Sequence, residues 1–302
     1  MKIRIGTRAS KLALWQADFV ASEIKKLFPA VEIEMIKITT RGDKILDTPL
    51  AKIGGKGLFT KEIELALSEK KIDLAVHSLK DVPSKILSEF KIAAIMKREN
   101  PFDAFVSNKF SALEDLPRNS VVGTSSLRRS AQILKIRSDL QIKNLRGNVD
   151  TRLKKLDSGE FDAIILAAAG LERLGYSSRI KKILTEMIPA AGQGALAIEI
   201  RADDFATESL IKNLNDGETN LSVKVERDFL EIIGGSCQIP VGIFAEVDNK
   251  KISARAIISS VDGKNFVEDT KIDSVENISG FGESFAEDLL NRGGRKILAE
   301  IL

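Results

Sequence analysis

The sequence has 302 residues, of which 43% are apolar and 29% charged, as is usual for a globular protein. Its 46 basic and 43 acidic residues leave a net charge of +3, which argues against a general nucleic-acid coat but leaves room for a local basic cleft. One cysteine excludes an internal disulfide and is consistent with a reducing compartment, and one cysteine with one histidine disfavours a zinc site.

The first two thirds of the sequence alternate short apolar strands with amphipathic helices. Strands are predicted at residues 2–5, 31–35, 74–76, 92–95, 104–106, 121–123, 142–145 and 163–166. Helices are predicted at residues 11–28, with Ser10 as the N-cap, and at 58–69, 127–136, 149–157 and 168–174. This alternation implies mostly parallel sheets. No apolar signal region or membrane-spanning run is expected.

Two breaks divide this α/β region, one near residues 98–101 and one at 188–194. After residue 215, a helix is predicted with Leu221, Val225, Phe229 and Ile232 on one face. Alternating segments at 243–247 and 252–258, a hairpin turn at Asp262-Gly263 and a final helix then indicate a small α+β domain. We predict one lobe from residues 1–97 with 195–214, a second from 98–194, and a C-terminal domain from 215–302.

Arginines and small hydroxyl residues follow three of the predicted strands. They lie in Gly6-Thr7-Arg8-Ala9-Ser10, Gly123-Thr124-Ser125-Ser126-Leu127-Arg128-Arg129 and Arg146-Gly147-Asn148-Val149-Asp150-Thr151-Arg152. Ligands of open α/β sheets bind at the carboxyl ends of strands, helix N-termini attract anions, and arginine binds carboxylates through two hydrogen bonds. The pattern predicts a cleft for a polyanion. The alternative for each arginine is a solvated position or a salt bridge.

The segment 77–83, His-Ser-Leu-Lys-Asp-Val-Pro, follows an apolar strand. Asp81 can exchange protons or stabilise a nearby cation, and Lys80 can bind a carboxylate. The alternative is a turn that Asp81 stabilises before Pro83. His77, the only histidine, is a candidate base, although a hydrogen-bonded structural role is the commoner one.

Two loops contain glycines beside a reactive residue. Residues 54–59 lack the Ser or Thr that follows the lysine of a phosphate loop, so they indicate a lid over the cleft or a plain surface loop. Residues 234–240 contain the only cysteine. Cys237 is either an exposed nucleophilic thiolate or a small buried apolar residue.

Taken together, these segments resemble hydroxymethylbilane synthase, also called porphobilinogen deaminase. The resemblance extends along nearly the whole chain. It is carried, in order, by residues 5–10, 40–43, 54–59, 77–83, 122–129, 145–152 and 191–195, followed by the cysteine loop.

The resemblance implies two periplasmic-binding-protein-like lobes with mixed, mostly parallel sheets, and a small α+β C-terminal domain. It implies a dipyrromethane cofactor joined through a thioether to Cys237. The family's cysteine is commonly preceded by two glycines, whereas here Ser236 intervenes before Cys237. The family's catalytic carboxylate matches Asp81. Its binding positions match Arg8, Ser10, Ser78, Lys80, Thr124, Ser125, Ser126, Arg128, Arg129, Arg146, Arg152 and Arg173. Lys56 and Phe59 match its mobile loop.

The implied activity is that of a transferase of haem and tetrapyrrole biosynthesis. Porphobilinogen loses ammonia, the growing chain attacks the resulting azafulvene, and the pyrrolic cation loses a proton. Four condensations and a hydrolysis release hydroxymethylbilane and retain the primer. We expect a cytoplasmic monomer that binds porphobilinogen and the growing oligopyrrole, without metal, nucleic acid or membrane.

Two other functions remain as alternatives. The first is a non-catalytic two-lobed protein that binds an anion or another solute, although no signal sequence is seen for a periplasmic receptor. The second is RNA binding through the arginine clusters. Scarce aromatic residues and a nearly balanced charge argue against it.

Overall fold

The structure, a computed structural model, describes residues 1–44, 58, 60–234 and 239–301. The described residues form two compact units. Unit 1 contains residues 1–44, 58, 60–99 and 194–220, and unit 2 contains residues 100–193, 221–234 and 239–301. The division into three domains with the boundaries given above stays a prediction.

The strands and helices are numbered here in chain order. The strands are β1 (Lys2–Arg8), β2 (Glu32–Ile38), β3 (Leu74–Ser78), β4 (Phe90–Ile95), β5 (Asp103–Val106), β6 (Val121–Gly123), β7 (Gln141–Lys143), β8 (Ala163–Ala167), β9 (Lys182–Leu184), β10 (Leu196–Arg201), β11 (Val241–Asp248), β12 (Lys251–Ser259) and β13 (Phe266–Ser274). The helices are α1 (Lys11–Leu27), α2 (Arg41–Lys44), α3 (Lys61–Ser68), α4 (Leu127–Ile136), α5 (Val149–Asp157), α6 (Ala168–Arg173), α7 (Phe205–Ile211), α8 (Gly217–Ile233), α9 (Phe281–Leu289) and α10 (Arg295–Ala299).

Unit 1 is built on a five-stranded sheet in the order β2-β1-β3-β10-β4. The strand β1 pairs in parallel with β2 and β3, whereas β10 runs antiparallel to both of its neighbours. Four of the five strands therefore point the same way. This agrees with the predicted mixed, mostly parallel sheet.

Helix α1 covers the sheet of unit 1 because its sequence has one apolar side and a cap. Ser10 accepts a hydrogen bond from the Ala13 N–H at 3.3 Å, which confirms the predicted N-cap. Val20 and Ile24 are fully buried and pack with Ile5 of β1. Each such side chain contributes about 1.5–3 kcal/mol of burial free energy. Packing of this side fixes where the chain leaves β1.

The larger sheet of unit 2 repeats the same arrangement, in the order β7-β6-β8-β5-β9. The strand β6 pairs in parallel with β7 and β8, and β5 runs antiparallel to β8 and β9. Four of its five strands again share one direction. Aliphatic side chains predominate in its two core clusters, in which Phe105 and Phe161 are the buried aromatic residues.

The C-terminal part of unit 2 is an antiparallel sheet in the order β11-β12-β13, packed against helices. Its core contains Phe229 of α8, Phe281 and Phe285 of α9, and the inward-facing residues of β11 and β12. The predicted turn at Asp262-Gly263 connects β12 and β13. The predicted α/β class with a small α+β C-terminal part is confirmed.

Two local predictions differ from the structure. Helix α3 begins at Lys61, three residues later than predicted, because the Thr60 carbonyl accepts the first helical hydrogen bonds, from the N–H groups of Ile63 and Glu64.

In α8, Val225 and Phe229 are buried as predicted, but Ile232 is 38% exposed and Ile233 is buried instead. In a helix the rotation per residue is 100°, so residue 233 continues the buried line from Phe229 better than residue 232.

Within the described ranges, the helices are too short or too polar to cross a bilayer. The same residues contain no group of three or more His, Cys, Asp or Glu side chains arranged to hold a metal ion.

Candidate functional site

Three parallel strands of unit 1 end at the same edge of their sheet. Because β1, β2 and β3 run in one direction, the residues that follow them meet there. This edge, called edge 1, consists of Arg8, Ser10, residues 40–43, Ser78, Lys80 and Asp81. The fold thus gathers every unit 1 residue predicted for the site, apart from those outside the described ranges.

Arg8 is held at edge 1 by the carboxylate of Asp43. The Arg8 Nη2 and Nε atoms lie 2.5 and 3.1 Å from Asp43 Oδ1, and Thr40 donates to Asp43 Oδ2 through its N–H (3.1 Å) and its hydroxyl (2.8 Å). Burial alone would raise the pKa of Asp43, but these hydrogen bonds and the Arg8 charge lower it. Asp43 therefore stays ionised and anchors the guanidinium.

The two serines of edge 1 are fixed by helix α1. Ser10 caps the helix as described above, and Ser78 accepts a hydrogen bond from Nε2 of the buried Gln16 at 2.8 Å. Since each serine is the acceptor in its contact, its own O–H group can still donate to a ligand. The positions of both hydroxyls follow from the packing of α1 on β1 and β3.

Asp81 projects from a short 3₁₀ turn, Leu79–Asp81, that directly follows β3. Leu79 is buried, and its N–H donates to the Ala195 carbonyl at 3.0 Å; the N–H of Val82, also buried, donates to the Leu79 carbonyl at 3.0 Å. These two apolar anchors fix the backbone on both sides. Asp81 itself is exposed, so a carboxylate on a fixed turn faces solvent.

His77 lies inside unit 1. Its Nε2 is 2.9 Å from Oε2 of Glu199 on the neighbouring strand β10, and the two side chains are 5% and 0% exposed. An imidazole in this position joins two strands. The structure therefore supports the structural role of His77 over that of a base.

Three parallel strands of unit 2 also end at one edge. Since β6, β7 and β8 run in the same direction, the segments that follow them meet there. This edge, called edge 2, consists of residues 124–129 after β6, residues 144–152 after β7 and α6, which ends at Arg173. It gathers every unit 2 arginine and hydroxyl residue predicted for the site.

The hydroxyl residues of edge 2 join the end of β6 to α4 and to the segment after β7. Ser126 caps α4 by accepting from the Arg129 N–H at 3.4 Å, and Thr124 accepts from the Ser126 N–H at 3.2 Å. Ser125 accepts from the Leu145 N–H at 3.1 Å. These contacts set the direction of α4, whose N-terminal N–H groups point towards edge 2.

Arg128 and Arg129 are buried and share one carboxylate. Arg128 Nη1 and Arg129 Nη2 each lie 2.8 Å from Asp103, which begins β5 and has no exposed surface. Burial would raise the pKa of Asp103, but the two guanidinium charges outweigh it and hold the pKa below its usual range. Two cations and one anion leave one excess positive charge. The predicted role of both arginines towards a substrate remains a prediction.

The other arginines of edge 2 have different surroundings. Arg152 Nε donates to the Gly147 carbonyl at 2.7 Å, and Arg173 is half-buried at the end of α6. Arg146 Nη1 is buried, and the described part of the chain offers it no hydrogen-bond acceptor. A cationic N–H donor without an acceptor is unfavourable, so an anionic ligand would stabilise Arg146.

Three residues singled out from the sequence lie outside the described ranges. They are Cys237, Lys56 and Phe59.

Sequence patterns missed three residues that hold the predicted ones in place. Asp43 lies in the Thr-Arg-Gly-Asp segment of the resemblance, so that motif could have pointed to it. Asp103 opens an apolar strand shortly after Pro101, and a carboxylate in such a buried position is a signal for a basic partner. Gln16 gives no signal beyond its place on the apolar side of α1.

Some solved structures are similar to part of this chain. The methionine-binding protein MetQ shares 15% identity over 70% of this chain and 88% of its own, with a TM-score of 0.46. A periplasmic substrate-binding protein of an ABC transporter from Coxiella burnetii shares 15% identity over 74% and 96%, with a TM-score of 0.45. The periplasmic aliphatic sulphonate binding protein SsuA from Escherichia coli shares 17% identity over 77% and 70%, with a TM-score of 0.40. Similarities this distant do not bear on what the chain binds.

Family models give a much more specific match. A model described as porphobilinogen deaminase, dipyromethane cofactor binding domain, matches residues 3–209. A second, described as porphobilinogen deaminase, C-terminal domain, matches residues 220–291. The two matches follow each other in the expected order and cover nearly all of the sequence. The chain therefore belongs to the porphobilinogen deaminase family.

Proposed function

We propose that the chain condenses porphobilinogen with Asp81 as its catalytic carboxylate and with the arginines of edges 1 and 2 as binding groups for acetate and propionate side chains. As a member of its family, the chain is a transferase of tetrapyrrole biosynthesis that polymerises porphobilinogen and uses a dipyrromethane cofactor. The proposal assigns the parts of that activity to individual residues.

The observation that carries the assignment is the buried Nη1 of Arg146, which has no acceptor among the described residues. A buried donor left without a partner costs about 1–3 kcal/mol, more when it is charged. A carboxylate from the ligand would satisfy it through a charge-assisted hydrogen bond. An arginine in this state at a strand edge is what a site for carboxylated pyrroles requires.

The charges of the edge 2 residues fit the dipyrromethane group. Each of its two pyrrole rings carries an acetate and a propionate, so it presents four carboxylates, and edge 2 offers Arg146 together with the excess positive charge of the Asp103 cluster. Residues proposed to hold these carboxylates are Arg8, Ser10, Ser78, Lys80, Thr124, Ser125, Ser126, Arg128, Arg129, Arg146, Arg152 and Arg173. We assign the covalent attachment to Cys237, the only thiol in the sequence. When bound, the group supplies the pyrrole carbon to which substrate is added.

We assign two roles to Asp81, the stabilisation of a cationic pyrrole and the acceptance of a proton. Loss of ammonia from porphobilinogen leaves a cationic pyrrole, and the coupled product must then lose a proton. A carboxylate near the pyrrole N–H groups stabilises the cation and can accept that proton. Asp81 is exposed on a turn fixed by Leu79 and Val82, so it is both accessible and held in place.

The test is Asp81→Asn, which removes the charge and keeps the side-chain shape. We expect kcat for porphobilinogen consumption to fall by about 10²-fold or more, the range for a positioned acid or base. The intact mass of the variant should still exceed the polypeptide mass, because the cofactor remains attached.

Asp18→Asn serves as the matched control, since Asp18 is an exposed carboxylate on α1 away from the strand ends. Its kcat should equal that of the unsubstituted protein. A nearly normal rate for Asp81→Asn would remove Asp81 from the mechanism.

The proposal also covers the setting of the enzyme. We place it in the cytoplasm as a monomer whose ligands are porphobilinogen and the growing oligopyrrole, with no nucleic acid among its partners. The near balance of basic and acidic residues supports the last point.

A further inference from the structure

The turn between β12 and β13 lies against the backbone of helix α4. Gly263 in this turn has a φ of +72°. A Cβ added to it would lie 2.8 Å from the backbone nitrogen of Lys135 and still closer to the carbonyl oxygen of Ala131. Only glycine allows both this conformation and this approach. The C-terminal sheet thus contacts α4 directly, main chain against main chain.

A side-chain contact accompanies this backbone contact. The Lys135 ammonium of α4 forms an ion pair with Glu268 of β13 and lies 4.0 Å from the centre of the Phe266 ring. Both charged side chains are less than one third exposed. The pair fixes the sheet's position along α4, because Lys135 has a defined place over one ring.

Helix α4 carries Arg128 and Arg129 three and two residues before Ala131. Arg128 Nη1 also donates to the Ile188 carbonyl at 2.8 Å, and Gln132 exchanges two hydrogen bonds with Ile188, at 2.7 and 2.9 Å. A helix is stiff over this distance, so a shift at Ala131 moves both guanidinium groups.

The same segment reaches the strand that follows the cysteine. The Ile243 N–H of β11 donates to the Pro189 carbonyl at 3.0 Å, and a Cβ on Gly242 would lie 2.7 Å from the Ile188 carbonyl oxygen. Helix α4 and the start of β11 therefore both contact the backbone of residues 188–189. The strand β11 begins four residues after Cys237 in the sequence.

We infer that Gly263 and Lys135 are positioning residues, through which the β12–β13 turn sets where Arg128 and Arg129 present their excess positive charge. The inference rests on the proposed function of these two arginines in holding pyrrole carboxylates. It assigns to the C-terminal sheet a role in substrate affinity, carried by contacts remote from edge 2.

The experiment compares Gly263→Ala with Gly159→Ala. Gly159 also has a positive φ, +81°, but a Cβ there would meet nothing within 4 Å, so both variants carry similar backbone strain and only one displaces α4. We expect Gly263→Ala to lower kcat/KM for porphobilinogen about tenfold, mainly through a higher KM, since small misplacements of binding groups have effects of this size or larger. Gly159→Ala should keep kcat and KM within about twofold.

A loss of folded protein alone would lower kcat and leave KM unchanged, so the KM of the folded enzyme separates positioning from stability. Lys135→Met and Lys135→Arg provide a second pair without backbone strain, in which methionine should raise KM and arginine should restore it. Unchanged KM in both Gly263→Ala and Lys135→Met would overturn the inference, and if Gly263→Ala does not fold, Lys135→Met decides alone.

A separate measurement tests the proposed role of Arg128 and Arg129 in holding pyrrole carboxylates. If Arg128→Lys and Arg129→Lys leave KM unchanged, the two arginines do not hold pyrrole carboxylates. If those substitutions raise KM while Gly263→Ala and Lys135→Met do not, the arginines bind as proposed and only the role of the β12–β13 turn is wrong.

Discussion

Arg146 differs from Arg128, Arg129 and Arg152 in the hydrogen-bond acceptors that the protein itself places near the guanidinium group. Arg128 and Arg129 share the carboxylate of Asp103, and Arg152 donates to a backbone carbonyl. Arg146 has a buried Nη1 without an acceptor in the part of the chain that the structure describes. The folded chain therefore carries an unfavourable contribution there, which a ligand carboxylate would remove on binding.

This contrast predicts opposite effects for two arginine substitutions. Arg146→Leu should raise KM for porphobilinogen by about 10- to 100-fold, which corresponds to a hydrogen bond between charged groups, and should not lower the free energy of unfolding. Arg137→Leu should lower the free energy of unfolding and leave KM unchanged. The reason is that the Arg137 guanidinium binds Asp139 and the Leu113 and Leu116 carbonyls. Steady-state kinetics and urea denaturation of both variants check this. A normal KM for Arg146→Leu would contradict the binding role.

At the scale of single residues, sequence patterns located the arginines better than their surroundings. Arg8 and Arg128 were identified because they follow strands, a local feature of the chain. Their acidic partners lie 35 and 25 positions away, at Asp43 and Asp103. Which carboxylate meets which arginine depends on strand order, and that is a property of the whole sheet.

Among the contacts between elements, the Asp103 cluster in unit 2 joins three charged side chains that are all buried. It joins the first residue of β5 to the first turn of α4, and Gln193 Nε2 adds a hydrogen bond to Asp103 at 2.9 Å. The cluster therefore fixes the helix that carries Arg128 and Arg129 to strand β5 of the sheet. Removing the carboxylate would leave two guanidinium groups buried without a counter-charge.

Asp103→Asn should accordingly lower the free energy of unfolding by about 3–5 kcal/mol at pH 7. The pKa of Asp103 in the folded chain is below its unfolded value of about 4, so its contribution is complete above that pH and is lost as the pH falls towards the folded pKa. The difference between the two proteins should therefore shrink below about pH 4.

Urea denaturation at pH 7 and at stepwise lower pH measures this difference. Asp139→Asn is the control, because Asp139 pairs with Arg137 near the surface and its loss should be much less destabilising. A pH-independent difference for Asp103→Asn would show that the carboxylate charge is not what stabilises the cluster.

At the scale of elements, the sequence predicted best where local signals agreed. The bounds of α4 and α5 were predicted to the residue, because Ser126 and Asn148 cap them and apolar residues recur at helical spacing. The prediction of the buried side of α8 was wrong at Ile232. The adjacent isoleucines 232 and 233 fit the helical spacing almost equally well, and packing against β11 and β12 determines which of them is buried. Where spacing is ambiguous, tertiary contacts decide.

At the scale of the whole molecule, positive charge is concentrated locally in a chain that is nearly neutral. The net charge is only +3, yet edge 2 alone carries five arginines, Arg128, Arg129, Arg146, Arg152 and Arg173. Every porphobilinogen added to the product brings two more carboxylates. In the proposed function, these local clusters of arginines would hold the growing polyanion, while basic and acidic residues remain nearly balanced over the sequence as a whole.

The last prediction concerns the covalent attachment of the cofactor. An oligomer that grows over several condensations must not dissociate from the protein between them, and a covalent bond prevents that dissociation. Protein purified from cells should have an intact mass above the polypeptide mass, and peptide mapping should place the added mass on Cys237. Cys237→Ser should show the bare polypeptide mass and no turnover, since serine lacks the nucleophilic thiolate. Ser236→Gly, which places two glycines directly before Cys237 as is common in the family, is the matched control and should retain both the adduct and the activity. An unmodified Cys237 in active enzyme would exclude the tethered primer.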